Sequence, residues 1–276
     1  MKNILKISTF LSFLILYAPA ALLGQSIQLS YNLSSGKIYQ LKSNTEQTIS
    51  MDIMGQEMVI NQHIEVFQDV EVKNIDNEGN HTLDYTYIRV RLNQNAMGME
   101  VKYDSDNQSE SDNPMVQQLS NAMKDVVGRT VQVVFNRLGH PISSDMDDFF
   151  PENVNVSGAE SGMLSIYPDK EIQVGDSWEV EVDVDMAMDI KVGTTFTLNE
   201  IKGNDAIISF EGNVENIIDQ ETKAHIEGQI NGKLIVDITS GWTKSATYNQ
   251  HMTMDMEEDG VRMPMQLNSV TTMISD

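Results

Sequence analysis

The sequence predicts a mainly β protein: a large, curved antiparallel sheet or open half-barrel with one α-helix packed on it. Two observations lead there. Long stretches alternate apolar and polar side chains between clear turn signals, and a strand sends successive side chains to opposite faces. Within this pattern one segment switches to helical spacing.

The longest alternation runs from Trp178 to Val192. Trp178, Val180, Val182, Val184, Met186, Met188, Ile190 and Val192 share one face, while Glu179, Glu181, Asp183, Asp185, Asp189 and Lys191 share the other. As one strand at about 3.3 Å per residue, it would span roughly 50 Å, against a usual strand of about 5–6 residues. So long a one-sided strand implies a sheet wrapped around something apolar. The pattern expects Val180 to Met188 buried in alternation, with Glu181, Asp183 and Asp185 in solvent.

The other elements follow in order. A strand with Ile49, Met51 and Ile53 leads through a hairpin at Met54-Gly55-Gln56 into one from Glu57 to Val72, with Met58, Ile60, Ile64, Val66, Val70 and Val72 on one face. Asp76-Asn77-Glu78-Gly79-Asn80 is a turn. Asp112-Asn113-Pro114 starts a helix over 115–127, with Met115, Leu119, Ala122, Met123 and Val126 in helical phase and Gly128 as its stop. Its apolar stripe should lie over an open face or mouth of the sheet. Thr130–Phe135 is a strand, Asn136–Gly139 a turn, and 143–170 irregular. Strands over 222–238, 242–256 and 261–273 complete about a dozen, divided by Lys202–Asp205, Ser240-Gly241 and Glu258-Asp259-Gly260. Gly36-Lys37-Ile38-Tyr39 and Gly175-Asp176-Ser177-Trp178 each open a series of long strands, which marks repeat halves over 30–140 and 170–276.

Residues 1–25 read as a secretory signal peptide: Lys2 and Lys6, a short apolar run, then small residues, with cleavage between Ala20 and Gln25. Residues 26–276 then form one β-rich domain, exported to the periplasm or beyond. With no cysteine anywhere, there is neither a disulfide framework nor a thiol for lipid attachment. Losing Lys2 and Lys6 takes the formal net charge from −23 to −25. That excludes ordinary nucleic-acid binding and disfavours anionic lipid surfaces. The acidity reads as solubility for a sheet with a large apolar face.

No motif carries a reaction. Thioethers select Cu(I), and His251 stands beside Met252, but the 18 methionines continue the same faces as Val and Ile, so they read as adaptable filler of apolar space. The five histidines form no H-x-x-H. Asp145, Asp147, Asp148 and Glu152 lack the Ca²⁺-loop spacing, and Gly158–Gly162 lacks a nucleophilic Ser at its elbow. Trp178 and Trp242 open strands and read as rings closing one end of the core. Gly212, Gly228 and Gly232 fall in the inward phase, where glycine bends a strand or leaves room for a ligand.

The string Tyr167-Pro168-Asp169-Lys170-Glu171-Ile172-Gln173-Val174-Gly175-Asp176-Ser177-Trp178 resembles the P-x-K-x-V-x-V-G-D-x-W signature of an uncharacterised family of exported bacterial β-rich proteins. Gly36–Tyr39, the helix followed by Phe135–Gly139, and Gly232–Asp237 ahead of Thr239–Gly241 match in order. The resemblance implies architecture, and as a domain of unknown function it transfers no catalytic residue. A more distant likeness of fold is to periplasmic carriers of lipoproteins and glycolipids.

Together these readings expect a non-enzymatic exported protein, without cofactor or metal, that holds an apolar ligand such as a lipid or acyl chain. Its pocket would lie between sheet and helix, lined by Met186, Met188, Leu119, Met123 and Val126, with Gly228 and Gly232 leaving space. The competing expectation is a secreted or envelope structural protein with a filled core and a protein partner.

Overall fold

The computed structural model describes residues 26–53, 55–107, 114–124, 126–145, 165–185, 189–216, 224–258 and 261–276. Among them are twelve strands and one helix: β1 (Ile38–Ile53), β2 (Gln56–Ile75), β3 (His81–Ala96), β4 (Met99–Asp104), α1 (Pro114–Lys124), β5 (Thr130–Phe135), β6 (Pro141–Ser144), β7 (Ser177–Asp185), β8 (Asp189–Lys202), β9 (Asp205–Asn216), β10 (Ala224–Asp237), β11 (Thr243–Glu258) and β12 (Val261–Ser275). All twelve join one antiparallel sheet in the order β6-β5-β3-β2-β1-β12-β11-β10-β9-β8-β7, with β4 beside β3. Each half meanders, and the first and last strands of the series pair along Leu41–Met51 and Met265–Ser275. That seam makes the sheet continuous while leaving it unclosed.

The alternation from Trp178 to Val192 is not one strand. It folds back as the β7–β8 hairpin, with Val182 opposite Val192 and Val184 opposite Ile190. In this register even-numbered residues face even-numbered residues, so the pattern keeps its phase through the turn. A period of two cannot distinguish that hairpin from a single strand. Glu181 is exposed and Val180 half-buried.

The core sits at one end of the sheet, here called the base. It takes the starts of β1, β3, β9 and β11 and the ends of β2, β8, β10 and β12. Val70, Leu83, Leu198, Ile208 and Val236 are fully buried there. Two non-strand segments close it. Residues 26–33 bury Ile27, Leu29, Tyr31 and Leu33, and residues 165–172 bury Ile166, Tyr167 and Ile172. Ile27 and Ile172 exchange backbone hydrogen bonds of 2.9 and 2.8 Å. The Tyr31 ring meets Phe135 edge-on at 4.8 Å, and its hydroxyl accepts from the Ser165 N–H at 2.9 Å. The Tyr167 hydroxyl donates to the Gly241 carbonyl at 2.7 Å. Trp178 stacks on Phe196 and Trp242 on Tyr39, so both tryptophans belong to this end. Burial holds the Tyr31 hydroxyl neutral, well above its usual range.

Two glycines let these segments close. A Cβ on Gly139 would stand 2.2 Å from the Ser165 carbonyl oxygen, and one on Gly241 2.2 Å from that of Ser30. Both have left-handed backbone, φ +91° and +69°.

The two halves open alike. The Gly36 N–H donates to Val72 and the Val72 N–H to Lys37, at 2.7 and 2.8 Å; Gly175, Leu198 and Asp176 repeat the arrangement at 2.8 and 3.0 Å. A β-bulge follows both Val72 and Leu198.

Candidate functional site

Beyond the base, the inner face of the sheet is banded, and strand register sets the bands. The first row past the dry core joins Ile64, Thr45, Thr271 and Tyr248 across β2, β1, β12 and β11. Thr45 and Thr271 share a 2.9 Å hydrogen bond. The next row is polar: Gln94, Gln62, Gln47, Ser269 and Gln250 stand side by side on β3, β2, β1, β12 and β11. The Gln47 amide donates to Gln62, and the Gln62 amide donates to Gln94 at 2.6 Å. A half-buried amide chain of this kind is tolerable because each member has a partner.

Past the glutamines the face turns apolar again. Ile60, Ile49, Leu267 and Met252 form one row, and Met58, Met51, Met265 and Met254 the next. These central-strand side chains are half-buried rather than buried. They form an open apolar surface that runs to the strand tips, separated from the core by the polar row. Toward the β9–β10 side the cover is fuller, and Val214 and Ile226 are buried.

Of the residues expected to line a pocket, the helix-side group Leu119, Met123 and Val126 lies apart from Gly228 and Gly232. α1 runs from Pro114 to Lys124, and the strand it packs on is β4. Leu119 and Met123 are half-buried against the core cluster, and Val126, just past the helix, is buried. The Gly128 N–H donating to the Tyr87 carbonyl at 2.8 Å ties this corner to β3. Gly228 and Gly232 lie on β10, in the other half of the sheet. Met186 and Met188 lie outside the described residues, as does the whole acidic stretch from Asp147 to Glu152.

The inward-phase glycines mark close approach. A Cβ on Gly232 would stand 2.4 Å from the Thr247 carbonyl oxygen, 2.6 Å from Tyr248 Cβ and 2.8 Å from Phe210 Cζ. One on Gly228 would meet the His251 carbonyl oxygen at 2.7 Å and Met252 Cγ at 2.8 Å. The space each glycine leaves is taken by the neighbouring strand and its side chains.

The polar row was missed by reading apolar phases alone. Its signal is a gap in those phases: Gln62 falls between Ile60 and Ile64, and Gln47 between Thr45 and Ile49. Among the described residues, no three His, Asp or Glu side chains are grouped to hold a metal ion, and no helix is long and apolar enough to cross a membrane.

Residues 78–150 and 155–243 match the model of a family of unknown function, DUF6263. The match covers more than half of the chain. The chain belongs to DUF6263. The stretch from Tyr167 to Trp178 falls within the second matched segment. No protein of curated function matches this DUF6263 chain. Among solved structures it is similar to one described as "Lipid-protein interactions in lipovitellin", with 10% identity and a TM-score of 0.46, over 89% of this chain and 25% of that one. It is also similar to the translocator domain of the autotransporter NalP from Neisseria meningitidis, with 7% identity and a TM-score of 0.23, over 87% of this chain and 89% of that one. Likenesses this weak carry no functional argument.

Proposed function

We propose that this DUF6263 protein is exported and, without catalysing a reaction, holds an apolar ligand such as a lipid or acyl chain against the inner face of its sheet. One observation carries the reading: Ile49, Met51, Ile60, Met254, Met265 and Leu267 form a contiguous, half-buried surface beyond the core. Contiguous apolar surface of this kind marks an interaction site on a soluble protein. Covering it gains about 25 cal/mol for each Å² removed from water. Methionine suits such a surface because its unbranched thioether adapts to ligands of varied shape. The glutamine row beside it offers amide donors and acceptors to a polar headgroup. The basic, apolar and small-residue sequence of the first 25 positions supports export.

A protein partner docking on the same face is the second reading. The filled spaces at Gly228 and Gly232 support it, because they leave no room for a ligand beside those glycines. Native mass spectrometry after gentle purification separates the two. A co-purified mass in the lipid range supports the carrier. A clean mass of the bare chain that acquires no added fatty acid overturns it in favour of the partner.

A further inference from the structure

We propose that the outer face of the sheet carries a second site, an open trough across β3, β2, β1, β12, β11 and β10 that takes a neutral, linear glycan. The trough has a volume of about 800 Å³. Most of its lining lies on the opposite side of the sheet from the apolar surface, and Gln47, Gln62, Gln250 and Ser269 of the glutamine row also border it; the proposal does not rest on the lipid reading.

Strand register builds it. One row runs Asn95, Asn61, Thr48, Asn268, His251 and Gln229 on six successive strands. The adjacent row brings Asn93 beside His63 on β3 and β2, and Asn249 beside Asn231 on β11 and β10. Asparagine is depleted in strands because its side chain competes for the backbone. Six asparagines on five strands, gathered into two adjacent rows, break that rule together, and such concerted breaks mark function rather than folding.

The chemistry selects the occupant. The chain holds 41 acidic and 18 basic residues, yet among the trough's lining residues Glu46 and Glu100 are the only ones whose side chains carry a fixed charge, and none is Lys or Arg. A nucleic acid or acidic polymer finds no cation there. An apolar ligand finds one aliphatic side chain, Val270. An extended peptide pairs through free backbone groups at a sheet edge, which a sheet face lacks. His63 and His251 are three strand spacings apart, about 14 Å, too far to share a metal ion. A sugar hydroxyl donates and accepts at once, and so does a primary amide.

The amides are partly engaged with one another. Thr48 donates to Asn61 at 2.9 Å, His251 Nδ1 to Asn268 at 2.7 Å, and Asn249 to Asn231 at 3.2 Å. Each amide has two donors and two acceptor sites, so one such bond orients it and leaves the remainder for a ligand. Neighbouring strands lie about 4.8 Å apart, which is close to the length of one pyranose ring. A glycan lying across the strands would therefore meet one amide, hydroxyl or imidazole for each sugar.

The test is titration of the full chain with cellohexaose, chitohexaose and maltohexaose, read by calorimetry and by the side-chain amide resonances of Asn61 and Asn268. The expected result is saturable binding of at least one glycan, with those resonances shifting. Asn61→Ser with Asn268→Ser should weaken binding at least tenfold at an unchanged melting temperature. Glu179→Gln, on the same face outside the trough, should leave binding unaltered. If that pair fails to fold, Asn95→Ser with Asn231→Ser serves instead. No binding of any of the three, or binding that leaves both resonances and both variant pairs unaffected, overturns the proposal. So does a pair that lowers stability when the wild type binds no glycan, because the rows then serve the sheet alone.

Discussion

On β2, Val70 is fully buried, while Met58, on the same face of the same strand, is half-buried. The comparison repeats on β12, where Met273 is buried and Met265 half-buried. At the base, two non-strand segments, a set of interlocked aromatic rings and two glycines under backbone carbonyls close the sheet. At the tips nothing equivalent covers the central strands among the described residues. The base therefore carries stability, and the tips leave apolar and amide surface available for binding.

The largest effect expected from breaking this contrast is Gly139→Ala at the base. The new Cβ meets the Ser165 carbonyl 2.2 Å away and sits on left-handed backbone, for a loss of about 3 kcal/mol or more. Urea denaturation should show the midpoint fall steeply. Paired truncations come next. Leu198→Ala, in the fully buried base, should cost about 2–5 kcal/mol, whereas Met265→Ala at the half-buried tip should cost about 1 kcal/mol. Equal losses from the two would erase the distinction between base and tip.

A smaller effect comes from acid. On the outer face Arg89 donates two hydrogen bonds to Asp104, of 2.9 and 2.6 Å, and Arg91 adds one of 3.3 Å. The Arg89 guanidinium pulls the Asp104 carboxyl down to about 2. The folded pKa lies below the unfolded value of about 3.9. The stabilisation is thus present above about pH 4 and lost as pH falls through about 2. Asp104→Asn should flatten that stretch of the acid limb in urea midpoints measured at several pH values.

The smallest effect is a gain. Met97, three-quarters exposed, occupies the left-handed region at φ 52° in the two-residue turn between β3 and β4. Asn-Gly is preferred in such a turn, so Met97→Asn should raise stability by about 0.5–1 kcal/mol, read as a higher melting temperature. A methionine kept where it costs stability fits the exposed apolar character of the tips.

Much of this was legible in the sequence. Alternation located the strands, and Asp112-Asn113-Pro114 and Gly128 bracketed the helix to within a few residues. The hairpin between Trp178 and Val192 was hidden because its turn preserves the alternating phase. The asparagine band was hidden for a different reason. Asn61, Asn93, Asn231, Asn249 and Asn268 are scattered along the chain, and only strand register aligns them. The glycines of β10 show the opposite failure: their inward phase was legible, but the side chains that fill their space belong to strands β9 and β11.

The central claim is that the open inner face at the tips holds an apolar ligand, and displacement of a fluorescent fatty-acid probe from the full chain tests it most directly. The account predicts saturable binding that Met265→Asp abolishes while the melting temperature stays close to that of the wild type. Absence of saturable binding, or binding that Met265→Asp leaves unchanged, would contradict it.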